Sequence, residues 1–424
     1  MNRALRYDEE TDGFSHVFYN RIKSNNALIY RGIDSGEKFM RKTSLFFLAA
    51  GLTAMLCACG SGEVKETPVP SENMSSEEAS AQESESQPEA VLQDAVPTSY
   101  LTGLECTEEE RNMRPMAVML NNIKAGVPQA GLAQASVIYE APMEQADVTR
   151  LMPLFENWQD MGTIGYVRSS RDYFVYSALE FDAIYSHFGQ ATVYVGDLLN
   201  SDKVDNISGA VAGIDRPASK AFMRTDERKS PHNVYTTGEA LKEAAEKFGY
   251  SLTYHDTHKQ KFTFAPLGEK AEHKEGKDIS VMYPGGKKTG IANGYSNVQA
   301  YFEYNPEDGR YYRYQYGGEH IDETTGEQIA VDNVIFQYCN GEFRDEKGYM
   351  AFDVHGGWQE GVDKSQYKAQ IFTGGKMVEG TWSRYSDTDP AYYVDKNGDP
   401  IELNRGKTWV CLVWNDHADD VVLE

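Results

Sequence analysis

The segment that most limits this chain runs from Met40 to Cys59, where Arg41 and Lys42 precede the 12-residue, mostly apolar run Leu45 to Leu56 and small residues follow. A charged start, an apolar middle and a small-residue end form a secretory signal peptide. Crossing a bilayer as a helix takes roughly 20 residues, so the run is too short to stay as a membrane anchor. Residues 40–58 are therefore read as a signal peptide that is removed. The preceding residues 1–39 have several charges and no apolar period. Because a signal peptide needs its charged region near the start, Met40 is expected to be the true initiator and 1–39 a non-native upstream extension. An extended n-region is the alternative.

Leu56-Cys57-Ala58-Cys59 resembles the lipobox of bacterial lipoproteins, which implies a diacylglyceryl group on the Cys59 sulfur and cleavage before it. Cys57 is the poorer candidate, since bulky Met55 and Leu56 stand where the peptidase requires small side chains. A lipid at Cys59 would hold the mature chain on the outer face of the cytoplasmic membrane, with the membrane as its first partner. From Gly60 to Thr98 the chain is Ser, Glu, Pro and Gln with nine acidic residues and one Lys. Too little apolar surface is present there to offset the entropy of ordering, so residues 59–100 are predicted to be a disordered acidic tether.

Without residues 1–58 the chain keeps 33 basic and 59 acidic residues, a net charge of −26. That field repels nucleic acid, so a nucleic-acid partner is not expected. Cys106, Cys339 and Cys411 are too few and too scattered for a disulfide framework or a paired metal site. They are expected to be thiols, with one disulfide possible.

The remaining residues have two textures. Between Met113 and Ser251 short apolar runs alternate with helical patterns. Met116–Leu120, Ser136–Ala141, Val148–Phe155 and Ala183–His187 read as strands, the first and last apolar enough for a sheet covered on both faces. Thr236–Phe248 reads as a helix, with Thr236 and Glu239 at capping-box spacing and Gly249 as its stop. A second helix is predicted over Arg171–Glu180, opened by Ser169. After residue 285 come Tyr, Phe, Val and Thr runs broken by Gly, Asn and Asp: Val298–Tyr304, Tyr311–Tyr316, Val334–Tyr338, Ala369–Phe372 and Trp409–Trp414, with a hairpin turn at Asn397-Gly398. The expected fold is α+β with two domains, an N-terminal α/β domain over 105–255 and a mostly antiparallel, β-rich C-terminal domain over 289–418. Residues 256–288 connect them, with a strand possible over Lys261–Ala265.

Several ordered segments resemble the YerB-like lipoproteins, a two-domain family of uncharacterised function. They are Arg114-Pro115-Met116-Ala117-Val118, Pro128-Gln129-Ala130-Gly131-Leu132, Tyr139-Glu140, Val148-Thr149-Arg150, the run Ile164 to Arg171, Ser230 to Tyr235, Gly380-Thr381-Trp382 and Leu403 to Trp409. Tyr166 departs from the family pattern, which has proline there. The resemblance implies two domains and a surface location, and supplies no activity, substrate or catalytic residue.

Arg150, Arg168, Arg171, His187, His232 and Asn233 stand at predicted strand ends or at a helix start, outside the exposed charge runs. Arginines beside free backbone N–H groups bind phosphate or carboxylate, so these six are the candidate ligand-binding residues for an anionic envelope ligand. The competing structural reading pairs the arginines with Glu140, Glu144, Asp147 and Asp172. His187 or His232 as a general base, with Ser169 as nucleophile, gives the enzymatic alternative, a hydrolase or transferase acting on phosphate- or sugar-containing polymers. Ser169 also reads as a helix cap. No serine-elbow, phosphate-loop, dinucleotide or zinc-helix motif is present, and no cofactor or metal is expected. His255 and His258 have helical spacing but no third ligand. Trp358, Trp382, Trp409 and Trp414 could stack on the sugars of a cell-wall glycan, or simply fill a β core.

Overall fold

A computed structural model describes residues 96–209, 213–356 and 367–424. The signal segment, Cys59, most of the tether and Trp358 lie outside these residues.

The predicted N-terminal strands form as β1 (Met116–Val118), β2 (Leu120–Asn121), β3 (Val137–Pro142), β4 (Thr149–Phe155), β5 (Ile184–His187) and β6 (Asn206–Ser208). Of the helices, α1 is Asp172–Leu179, α2 is Thr192–Leu199 and α3 is Gly238–Phe248. The main strands of the C-terminal half are β7 (Asn333–Cys339), β8 (Lys368–Thr373), β9 (Lys376–Ser383) and β10 (Thr408–Trp414).

These strands belong to one 12-stranded sheet, with ten in the order 277–278, β9, β8, β7, β10, β3, β4, β1, β5, β6, and with β2 branching off β4 and Tyr392–Val394 off β9. The two halves of the chain meet inside it. β10 runs parallel to β7 on one side and to β3 on the other, with Trp409 opposite both Val334 and Ile138. β4 is antiparallel to β3 and β1, whereas β1, β5 and β6 run parallel. Alternation along a strand sends Met116, Val118 and Ile138 to one core and Ala117, Met119 and Tyr139 to the other. Both faces are thus buried, which accounts for the near-continuous apolar runs. A second, six-stranded sheet from the C-terminal half includes Val281–Tyr283, Tyr301–Asn305 and Arg310–Gln315, all antiparallel.

Several boundaries differ from expectation for local reasons. Thr237, not Thr236, caps α3: its hydroxyl accepts from the Ala240 N–H, while Thr236 donates to the Ala221 carbonyl. Gly249 ends α3 at φ 74°, the left-handed conformation for which glycine is suited. α1 begins at Asp172 with Arg171 at its N-cap and no side-chain cap, so neither Ser169 nor Ser170 caps it. A short helix, Tyr295–Val298, ends on the first residue of the expected 298–304 strand, which starts only at Tyr301 and runs to Asn305. The 261–265 strand shrinks to Thr263–Phe264, paired with Glu402–Leu403. The Gly165–Tyr166 peptide, where the family pattern has proline, is cis.

Candidate functional site

The carboxyl ends of parallel β1, β5 and β6 all lie at one edge of the sheet, the place where open α/β sheets bind ligands. The segment 166–170 crosses that edge. Its backbone is held by Asn121 N–H to Tyr166 O, Arg168 N–H to Met119 O, Phe188 N–H to Arg168 O and Ser170 N–H to Gly189 O. Antiparallel β4 begins where β2 ends, so Arg150 stands opposite Asn121. The Val167 N–H bonds to Val234 O and brings in the loop with His232 and Asn233. Segments far apart in the chain thereby place Arg150, Arg168 and His232 together.

Arg150 is only 7% exposed. Its guanidinium donates to the Ser169 carbonyl at 2.5 Å. Burial pushes Arg150 down to about 10 from the usual guanidinium range. Arg168 is likewise pushed down to about 10, first by burial and then by the positive charges of Arg150 and Arg224. Its Nη1 donates to Pro231 O at 3.1 Å, whereas its buried Nε has no hydrogen-bond partner among the described residues. Arg224 was not singled out in the sequence because it lies in a polar stretch with Asp226, Glu227 and Arg228. It is exposed, bonds to Asn233 Oδ1 at 2.7 Å and lies 5.3 Å from the Phe188 ring centre. Among the described residues no carboxylate lies within 4.0 Å of these three guanidiniums.

Charge sharing explains this vacancy. Glu144 takes Arg171, but Glu140 is held by both of its oxygens, 2.9 Å each, on Arg313 from the C-terminal half. Asp172 goes to Arg344, also from that half, and Asp147 accepts from Asn297 at 2.5 Å. Of the four acids expected to neutralise the arginines, one does so.

The other candidates have different places. Arg171 is neutralised by Glu144 and lies over the Tyr349 ring. His187 is fully buried, with Nδ1 at 2.7 Å from Gly189 O and Nε2 at 2.8 Å from Asn206 Oδ1, and burial pushes it down to about 4. Neither ring nitrogen is open to a substrate. His232 Nδ1 lies 2.8 Å from the Asn121 amide nitrogen and therefore accepts, which leaves the proton on Nε2. Burial and the Arg168 charge lower its proton affinity and favour the neutral ring. Ser169 Oγ reaches only Phe188 O, at 3.5 Å, and Ser170 Oγ accepts from Tyr185, so neither serine is bonded to a histidine. Asn233 orients Arg224 and donates to Thr225 O.

Trp382, Trp409 and Trp414 are buried, in keeping with the core reading rather than the alternative sugar platform. They point into the core because they alternate with outward residues along β9 and pack on both faces of β10. His255 pairs with Asp182 and His258 stacks on Tyr254; among the described residues no group of three metal-binding side chains forms. Cys106, Cys339 and Cys411 are free thiols.

Two family models match the chain, the N-terminal domain of a protein of unknown function (DUF3048) over residues 101–251 and its C-terminal domain over 291–410. YerB of Bacillus subtilis (strain 168), whose name marks it as a candidate lipoprotein, is 29% identical over 328 residues, 76% of this chain and 89% of that protein. The crystal structure of Bacillus subtilis YerB matches with a TM-score of 0.62 at 27% identity, covering 77% of this chain and 99% of the other. The motifs, the two matched domains and the shared fold agree: the chain belongs to the DUF3048 family of YerB-like, two-domain proteins of uncharacterised function.

Proposed function

We propose that the chain is a lipoprotein anchored by Cys59 to the outer face of the cytoplasmic membrane, and that its N-terminal domain binds an anionic envelope ligand through Arg150, Arg168 and Arg224. The lipobox and the lipoprotein naming of the Bacillus relative support the anchor. One observation supports the binding reading above all: three guanidiniums lie at one end of the sheet with no carboxylate within 4.0 Å among the described residues, in a chain of net charge −24. Placing like charges together and partly out of water is costly, and a bound anion offsets that cost. His232, held by the buried Asn121 amide, contributes a neutral Nε2–H donor. The buried tryptophans favour an anionic ligand over stacked sugar. The enzymatic alternative lacks a serine bonded to either histidine among the described residues.

Titration calorimetry with inorganic phosphate on the full chain in detergent tests the binding reading. Heat with a saturable isotherm is expected for the wild type and its loss for Arg168→Gln. An unchanged isotherm in Arg168→Gln places the anion elsewhere. Mass spectrometry of the processed N-terminus tests the anchor, and an unmodified Cys59 thiol in the membrane fraction contradicts it.

A further inference from the structure

Two of the family-like segments take no part in the arginine cluster: 128–132 from the N-terminal half and 403–409 from the C-terminal half. They meet at a cleft of about 60 Å³, room for about four water molecules. Its apolar wall includes Leu132, Ile138, Ile329 and Val331, each no more than 2% exposed. Its charged groups are half-buried Arg310 and Lys407 and, exposed, Glu327. The backbone of Lys407 is held firmly: its N–H donates to Asp332 Oδ2 at 2.7 Å, and its carbonyl accepts from the N–H groups of Asp332 and Asn333. Gly406 stands at φ 134°, and a Cβ there would run into the Asp332 carboxylate, so the turn that presents Lys407 requires glycine. The Lys407 side chain crosses to the N-terminal half and donates to the Ala133 carbonyl, which spends one of three ammonium hydrogens. Arg310 donates to the Ala330 carbonyl at 2.8 Å.

Among the described residues no carboxylate lies within 4.0 Å of either cation. Two nearby acids are engaged elsewhere: Asp332 accepts the Lys407 N–H, and Asp322 accepts the N–H groups of Ala133, Thr324 and Thr325. Burial, and then the charge of Arg310, lower the Lys407 ammonium below the ordinary lysine range. Asp332, Glu327 and Asp322 oppose that shift from further off. Against those three carboxylates, two cations favour an entering group with one negative charge over one with two. The apolar wall favours hydrocarbon beside that charge. We propose that the cleft binds a small aliphatic carboxylate, its oxygens on Lys407 and Arg310 and its hydrocarbon against Leu132, Ile138 and Val331. This site is separate from the Arg150, Arg168 and Arg224 cluster and does not depend on it. The same chemistry occurs on a free short-chain acid and on the carboxyl end of a peptide with a small last side chain.

Saturation-transfer NMR titrations on the full chain in detergent test the proposal, with formate, propionate, N-acetyl-alanyl-alanine and inorganic phosphate as probes. Propionate is expected to bind about ten-fold more tightly than formate, the worth of two further buried carbons. Arg310→Gln and Lys407→Met should each weaken propionate about ten-fold or more, the worth of one charge-assisted hydrogen bond. Arg168→Gln, which disables the other cluster, should leave propionate binding unchanged. Arg310-dependent binding of N-acetyl-alanyl-alanine supports the proposal with a peptide end as source; Arg310-dependent binding of propionate alone supports it with a free acid. Phosphate binding more tightly than propionate in Arg168→Gln overturns the single-charge assignment. Propionate affinity unchanged in Arg310→Gln, or lost in Arg168→Gln, overturns the site. Absence of propionate binding overturns it too and leaves the reading of the arginine cluster standing.

Discussion

Replacing Arg150 with methionine separates a binding arginine from a structural one. Arg150 is pushed from 12.5 to about 10, mainly by burial. At roughly 1.4 kcal/mol per unit, its charge costs the unliganded protein about 3 kcal/mol. The substitution also removes one charge-assisted bond to Ser169 O, worth about 1.5–3 kcal/mol. Methionine fills similar space with an unbranched side chain that adapts to irregular gaps. The balance lies between no change and a gain of roughly 1.5 kcal/mol, read as a Tm that holds or rises by a few degrees. Arg313→Met is the control, because it leaves Glu140 charged, buried and without its bidentate partner. That loss should cost about 3–5 kcal/mol. Denaturant titrations of both variants without ligand give the comparison. A loss of 3 kcal/mol or more in Arg150→Met would refute the reasoning, since Arg150 would then belong to the structural network as Arg313 does.

Acid should weaken the fold through His187. Its folded value, about 4, lies below the ordinary 6.5, so the neutral ring is favoured and its contribution is complete above pH 6.5 and lost as pH falls toward 4. Between pH 7 and 5 the loss is about 2 kcal/mol, and His187→Gln should show a correspondingly smaller change in urea midpoint; equal pH slopes in the two proteins contradict the assignment. Trp382, 2% exposed and bonded to Tyr338 O at 2.9 Å, is core. Trp382→Ala should cost about 3–5 kcal/mol in urea unfolding, and a variant of unchanged stability that lost glycan binding would restore the platform reading.

The strands of the N-terminal half were legible because each is short, apolar and bounded, and because a sheet covered on both faces leaves an unbroken apolar run. β3, β4 and β5 lie within a residue or so of their expected bounds. The joining of both halves in one sheet was not legible, since nothing local in Trp409–Trp414 states that its neighbours will be β7 and β3. Half of the site was visible for the same reason. Arg150 and Arg168 stood at strand ends in the sequence, but their lack of counter-charge depends on Arg313 and Arg344, more than 140 residues away, having taken Glu140 and Asp172. Arg224 was hidden in a charged stretch that reads as solvated surface. The engagement of both His187 nitrogens was not legible either, since burial is something no spacing reveals.

Selenate offers the most direct test of the anion site, because selenium can be located by its own anomalous scattering. Crystals of the folded protein soaked in selenate should show the strongest anomalous peak within hydrogen-bond distance of both Arg150 and Arg168, with Arg168 Nε engaged. An ordered wild-type protein that binds selenate elsewhere and leaves these two guanidiniums without an anion would contradict the account.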